Sequence, residues 1–341
     1  MVSLLLNIKY GNGESLIPLI ATCIVAGVIG VANGYTWEEM EKGILSSITI
    51  TLQSFLILMI IGMIIGTWIA GGIVPTIIYY GLRLLSPNFF LVASTILCSI
   101  VSLSTGSSWT TVGTIGVALL GIGHGLGVPA PITAGSIISG AYFGDKMSPL
   151  SETTNMAAAV TGVNLYEHIK HMFFTTFPTL LISLILFYIV GKRYGATGMD
   201  EGQILIIEEV IKNNFIITPW LFIVPLIVII LVMKKTPPIP ALLVGTLLGF
   251  ICAYFVQHND FSTILNSAQF GYEAETGNEV VDRLLSKGGL DGMMYTVSLI
   301  IIAMSIGGIL ETTGMLNTIV ESLLKFVKST GSLIFTTLLS S

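Results

Sequence analysis

Two observations predict an all-α protein that crosses a lipid bilayer many times. The first is scarcity of charge: 14 Lys and Arg with 19 Asp and Glu make up 10% of the 341 residues, whereas a soluble domain carries about 25%. With 53% apolar residues and a mean hydropathy of +0.90, there is too little charge to clothe a water-facing surface. The second is distribution: from residue 43 to residue 144 the sole formal charge is Arg83. Together they exclude a soluble enzyme, a disordered chain and a nucleic-acid binder. The net charge of −5 is scattered over short loops and identifies no charged partner. Cys23, Cys98 and Cys252 stand far apart in apolar runs, which gives neither a metal spacing nor a disulfide framework.

A spanning helix needs about 20 mostly apolar residues, and the windows between charges supply them in order. The opening run, Val2 to Leu6 with Ile8, is too short for a signal-peptide core or a span and reads as a helix cut at its start. Leu16 to Asn33, Ile44 to Ala70, Met172 to Val190, Ile216 to Met233, Ile239 to Gln257 and Gly292 to Leu310 each qualify. Ile73 to Leu85 and Phe89 to Ser102 are shorter, with Pro87 supplying a turn between them, and Leu333 to Ser341 begins a further span. Roughly nine to eleven crossings are expected on this basis. Gly191 to Asn214 and His258 to Gly289 read as the two long polar loops. Lys and Arg show no asymmetry between alternate ends, so the positive-inside rule leaves orientation open.

Transport scaffolds are commonly built from two inverted halves. A shift of 242 residues lays Gly66 on Gly308, Gly72 on Gly314, Thr76 on Thr318 and Leu82 on Leu324, with Arg83 on Lys325. The chain thus reads as one transmembrane domain over 1–341, with repeat 1 at about 44–160 and repeat 2 at about 292–341, incomplete. The expectation is of a chain shortened at both ends.

Two polar stretches carry chemistry. Ser102 to Gly113 reads S-L-S-T-G-S-S-W-T-T-V-G between apolar flanks. Either the helix breaks at Gly106, freeing carbonyls that join the hydroxyls among Ser102, Ser104, Thr105, Ser107, Ser108, Thr110 and Thr111 in coordinating a hard cation such as sodium, or the helix is continuous and its hydroxyls bond back to their own carbonyls. So dense a run of hydroxyls favours the break. Gly113 to Gly127 repeats glycine and contains G-I-G-H-G-L-G; without a surrounding strand–helix unit this is close helix contact rather than a dinucleotide loop. His124 within it is either a neutral, hydrogen-bonded histidine or a proton relay.

The second stretch, F-G-D-K-M-S-P-L-S-E-T-T-N from Phe143 to Asn155, gathers Asp145, Glu152, Lys146, Ser148, Ser151, Thr153, Thr154 and Asn155. It follows 61 residues without any Asp, Glu, Lys or Arg. It is either an interfacial loop or a buried site, and ionisable groups inside a membrane line ion and proton paths. A carboxylate stripped of water has its pKa raised, while sodium favours the charged form. One group then holds a proton or a sodium ion but not both, the minimum machinery of a cation/proton exchanger. Two carboxylates against one lysine leave one negative charge for a monovalent cation, with the sodium site near Asp145. Glu167, His168, Lys170 and His171 match neither order of the metalloprotease signature and read as an interfacial patch. Glu311 is a second candidate for an intramembrane proton-relay acid.

At these residues the chain resembles the NhaC-type sodium/proton antiporters, within the ion-transporter group that includes the sodium-lactate/malate-proton antiporters. The resemblance rests on S-T-G-S-S-W-T-T at Ser104 to Thr111, on the Phe143 to Asn155 stretch, and on T-G-V-N-L-Y-E-H-I at Thr161 to Ile169. It implies a multi-pass protein of the bacterial inner membrane that exchanges sodium for protons. It also implies that Thr105, Ser107, Ser108, Asp145, Ser148, Glu152, Thr153 and Asn155 lie in a polar core. Members of the family are longer, so a second copy of the hydroxyl-rich motif is expected to be missing here.

The expected protein is an all-α polytopic transporter with inverted repeats and broken or re-entrant helices, working by alternating access with Asp145 as the shared carboxylate. Its partners are Na+, H+ and membrane lipid, not nucleic acid, and a homo-oligomer is compatible with it. It needs no cofactor and is not an enzyme, since no nucleophile–base motif is visible. The alternative on the same scaffold is sodium-coupled organic acid exchange of the malate-H+/Na+-lactate type, with Lys146 and the hydroxyls holding the carboxylate.

Overall fold

A computed structural model describes residues 16–149, 151–197, 201–234 and 236–324, with Gly331 and Thr336. The opening run to Ile8, Lys325 and, Thr336 apart, the run from Leu333 lie outside the described residues. The described residues are helical, and their one β-type pairing is an isolated antiparallel bridge between Tyr272 and Lys287. They form two compact units, 1–55 with 294–341 and 56–293.

The first unit holds α1 (Leu16–Ala32), the first half of α2 (Trp37–Ala70), most of α15 (Leu290–Thr312) and α16 (Met315–Leu324). A capping box starts α2. Thr36 Oγ1 accepts from the Glu39 amide at 3.4 Å, and the Glu39 carboxylate accepts from the Thr36 amide at 2.8 Å, which satisfies two orphan donors reciprocally. A small core of Ala26, Met40 and Ile309 closes where Gly43 meets Gly308 too closely for any side chain at either position.

The second unit is larger. It continues α2 into α3 (Ile73–Leu84), α4 (Pro87–Thr105), α5 (Ser108–Thr111), a π turn (Val112–Gly116), α6 (Val117–Gly125), α7 (Ala130–Met147), α8 (Glu152–Thr161) and α9 (Leu165–Thr197). There follow α10 (Glu201–Asn214), a 3-10 turn (Pro219–Phe222), α11 (Ile223–Met233), α12 (Pro238–Phe255), α13 (Phe261–Gln269) and α14 (Glu279–Leu285). Pro87 sits at the start of α4, where its missing N–H costs nothing. Gly72 between α2 and α3 and Gly314 between α15 and α16, which the 242-residue shift pairs, both turn the chain with positive φ, 73° and 67°.

Among the described residues five helices are long and apolar enough to cross a membrane, within Trp37–Ala70, Pro87–Ser104, Leu165–Tyr194, Pro238–Phe255 and Leu290–Thr312. A sixth span would be the pair Leu205–Asn214 and Pro219–Val232, which bends by 91°. Against the roughly nine to eleven crossings expected from apolar windows, the described residues thus hold five or six helices of spanning length. Residues 102–161 are divided into short helices instead, and Leu16–Ala32 and Ile73–Leu84 fall short of a full span.

Both expected polar loops contain helices among the described residues. Within 191–214, α9 runs on to Thr197 and α10 buries Ile207 and Ile211, one turn apart. Within 258–289, Asp260 and Asn278 cap α13 and α14 with their side-chain oxygens, and Ile264, Val281, Leu284 and Leu285 are buried. The apolar positions at helical spacing were outweighed by the acidic residues between them. Arg83 is explained here as well. Its Nε lies 2.8 Å from the buried Glu208 carboxylate on α10, and its guanidinium stacks 4.3 Å from the Tyr79 ring centroid.

Candidate functional site

Helices α4 and α7 lie side by side and parallel, because the contacts advance along both in the same direction. Thr95 Oγ1 donates to the Ser136 carbonyl at 3.0 Å and Ser102 Oγ to the Ala141 carbonyl at 2.6 Å. Between these bonds, Gly140 packs on the Thr95 carbonyl and Gly144 on the Ser99 carbonyl, so a side chain at either would collide with backbone. Small residues let backbones approach where no water competes. This brings the two C-terminal ends together.

Both ends are breaks. At the end of α4, Gly106 takes the left-handed conformation (φ 68°) and its amide bonds to the Ser102 carbonyl. Ser107 is then extended (φ −144°), and its hydroxyl accepts from the Thr110 amide at 3.2 Å to start α5. Thr110 Oγ1 lies 3.0 Å from the same oxygen. The broken-helix reading of 102–113 therefore holds, with glycine reversing the turn and serine restarting it. At the end of α7, Ser148 is extended and its amide bonds to the Asp145 carbonyl at 3.1 Å. Thr154, from the start of α8, reaches back with its hydroxyl to the carbonyls of Asp145 and Lys146 at 3.3 and 3.2 Å.

One side-chain bond joins the two breaks. Ser108 Oγ donates to Asp145 Oδ2 at 2.9 Å. Asp145 is half-buried, and Ser108, Thr110, Ser148, Ser151 and Thr154 are buried around the breaks. Ser151 Oγ lies 3.0 Å from Thr153 Oγ1. The Asn155 amide nitrogen donates to the Pro149 and Ser151 carbonyls at 2.9 and 2.7 Å, which holds the turn between α7 and α8. Thr153 and Asn155 are themselves exposed. The side chains of Thr105, the last residue of α4, and Glu152, the first of α8, lie outside the described residues.

The remaining candidates are elsewhere. His124 is half-buried on α6 among glycines that seat this helix, Gly121 against Ile78, Gly123 against Thr133 and Gly125 against Leu82. Close helix contact thus accounts for the glycine run. Glu311 is exposed in the last turn of α15, in the other unit. In the 167–171 patch, Glu167, Lys170 and His171 are exposed on the first turns of α9, which Asn164 caps.

Sequence reasoning passed over one group. Between α7 and α9 lies a cavity of about 310 Å³ lined by Lys146, Tyr142, Ser139 and, from α9, Thr175, Thr176, Thr179 and Ser183, with Phe143 and Leu180. The signal was there: hydroxyls at 175, 179 and 183 repeat every four residues in an otherwise apolar window.

A model of the Na+/H+ antiporter family matches residues 140–341. The chain is 41% identical over 329 residues, 96% of this chain and 71% of the relative, to the Na(+)/H(+) antiporter NhaC of Alkalihalophilus pseudofirmus. It is 40% identical over 323 residues, 95% of this chain and 69% of the relative, to the Malate-2H(+)/Na(+)-lactate antiporter of Bacillus subtilis. To the Na(+)/H(+) antiporter NhaC of Bacillus subtilis it is 39% identical over 329 residues, 96% and 73% of the two chains. No solved structure matches.

Proposed function

Because the chain belongs to the Na+/H+ antiporter family, we propose that it exchanges sodium for protons across the bacterial plasma membrane as a multi-pass, secondary active antiporter. The observation that carries the site assignment is the Ser108–Asp145 hydrogen bond between two helix breaks. The C-terminal ends of α4 and α7 each carry the partial negative charge of a helix end. Asp145 adds a full one, so the junction attracts a small cation. Its oxygen donors are the kind hard cations take: a carboxylate, the hydroxyls of Ser107, Ser108 and Ser148, and carbonyls released by the breaks.

The exchange follows from sharing. The Asp145 carboxylate holds a proton or helps to hold sodium, and each excludes the other. The Ser108 hydroxyl can donate to the ionised carboxylate and turn a lone pair to an ion. Alternating access of this one site to the two sides couples the two flows. Glu152, next to the second break, is the other acid in this reading. Nothing in it needs a covalent step or a cofactor, so we read the protein as a transporter and not as an enzyme, with Na+ and H+ as cargo.

The test is a reconstitution. Purified protein in liposomes with a trapped pH dye should show a luminal pH change on adding sodium and none on adding choline. Asp145→Asn should abolish the response, and Glu152→Gln should weaken it. If wild type moves no protons with sodium, the exchanger reading fails. Normal exchange by Asp145→Asn would sink the site assignment and leave the exchanger reading standing.

A further inference from the structure

Helix α9 lies at the margin of its unit: from Leu165 to Val190 not one residue is buried. Its direction follows from its contacts with α4. The Phe89 and Tyr188 ring centroids are 5.4 Å apart, and Gly191 packs on the Asn88 carbonyl, so the contact moves back along α9 as α4 advances. Because α7 runs parallel to α4, α9 is antiparallel to both. The last turn of α7, which carries Lys146, therefore lies toward the start of α9.

The cavity of about 310 Å³ between α7 and α9 is a groove with two unlike ends. Its α9 face, positions 175, 176, 179, 180 and 183, continues toward the start of the helix through Met172 to His168, with His171 one turn before Thr175. Lys146, His168 and His171 thus gather at one end. Lys146 forms no ion pair among the described residues, where the pairs are Lys42–Glu38 and Arg83–Glu208, and no carboxylate lines the groove. Farther along, Thr175 and Thr176 donate to the Met172 carbonyl, Thr179 to Thr175 and Ser183 to Thr179. These hydroxyl hydrogens are spent inside α9, and Phe143 with Leu180 completes the lining.

We propose that this groove binds one phospholipid with a net negative headgroup, its phosphate held by the Lys146 ammonium and the His168 and His171 imidazoles and one acyl chain laid along α9. The groove is continuous with the surface that faces the bilayer, since Tyr142, Lys146, Thr175 and Thr179 are exposed. From Thr175 to Ser183 it extends about 12 Å at the helical rise of about 1.5 Å per residue, most of the depth of one leaflet, half of the roughly 30 Å hydrocarbon core. A lysine stem lies along apolar surface and lifts its ammonium to the headgroups, and basic pockets between spanning helices take anionic headgroups. A zwitterionic headgroup brings a second positive charge to a lining without a carboxylate. A second copy placed across the groove by a two-fold axis sets Lys146 and the histidines against their own like.

The test uses the full chain purified in detergent, with native mass spectrometry counting bound lipid as phosphatidylglycerol or phosphatidylcholine is added, and with inorganic phosphate as competitor. One phosphatidylglycerol per chain should be retained at concentrations where phosphatidylcholine is not, and phosphate should not displace it. Lys146→Gln should weaken retention by about 10-fold or more, the worth of a hydrogen bond to a charged group. Thr179→Phe, which fills the groove from an exposed position, should weaken it as well with an unchanged melting temperature. No retained lipid, equal retention of phosphatidylcholine, displacement by phosphate or unchanged retention in either variant overturns the lipid site. A dimer that excludes lipid and that Thr179→Phe dissociates also overturns it, and gives the groove to a second copy. Binding is read without transport, so its failure leaves the exchanger reading standing, and a failure of exchange leaves this site standing.

Discussion

Residues 102–111 and 175–183 both set hydroxyl side chains and a helix-breaking residue into an apolar stretch, yet the first is interrupted and the second runs on as one helix. In α9 each hydroxyl bonds to a carbonyl of the preceding turn, and Pro178 is carried inside the helix. Proline withdraws one amide but its φ stays helical, so the turn keeps its sense. In 102–111, Gly106 goes left-handed and Ser107 becomes extended and caps the next helix. The break at Gly106 thus combines a residue that reverses the turn with one that restarts the helix, whereas at Pro178 one donor is lost and the helix runs on. In the reading proposed above, the ion site lies at the interrupted stretch and not on α9.

The comparison can be broken most directly at Ser108. Ser108→Ala removes the bond that ties the α5 start to Asp145, and hydrogen bonds to charged groups are worth about 1.5–3 kcal/mol, so sodium affinity should fall by about 10- to 100-fold. Sodium titration of proton flux measures it, and an unchanged half-saturation would mean that the two breaks work independently. Next is Gly106→Ala, which forces a Cβ into the left-handed region at about 1–2 kcal/mol. Lower thermal stability together with slower exchange is expected. A variant as stable as wild type would show that this turn is not held in place by the fold.

Smaller effects sharpen the other side. Pro178→Ala returns an amide donor toward the Phe174 carbonyl, and exchange should stay at the wild-type rate; a loss of exchange would make α9 a second working break. Smallest is Thr276→Val. Thr276 donates through its hydroxyl and amide to the Asp282 carboxylate, at 2.6 and 2.7 Å, and this holds the Asp282 carboxyl below its ordinary range, the hydroxyl contributing most. The folded pKa is depressed, so the contribution is present above the unfolded value, about 3.9, and is lost as pH falls through the lower folded one. Melting curves between pH 6 and pH 3 should therefore drop less in Thr276→Val than in wild type, with transport at neutral pH unchanged. A hydroxyl–carboxylate pair in a connecting turn then differs in function from the Ser108–Asp145 pair, although the bond is the same.

Much of the fold was legible because lipid solubility is a matter of local composition. The apolar windows placed α2, α4, α9, α12 and α15, and Gly106 within a dense run of hydroxyls announced a break. The acidic residues in 191–214 and 258–289 hid helices, since composition registers the charges and not the buried faces of Ile207 and Ile211 or of Val281, Leu284 and Leu285.

By itself the sequence determined that this protein lives in a membrane, pointed to a break at Gly106, and showed which polar residues stand out: with charge so scarce, Asp145, Lys146 and Glu152 draw attention at once. Partnership came from packing. Ser108 and Asp145 are 37 residues apart, and they meet because Gly140 and Gly144 let α7 lie directly on the α4 backbone. Arg83 finds Glu208 across 125 residues, and Lys146 faces the α9 hydroxyls across a cavity that neither helix encodes alone. Local preference is set by neighbours along the chain, whereas a binding site is set by which faces touch, and that depends on all the helices at once.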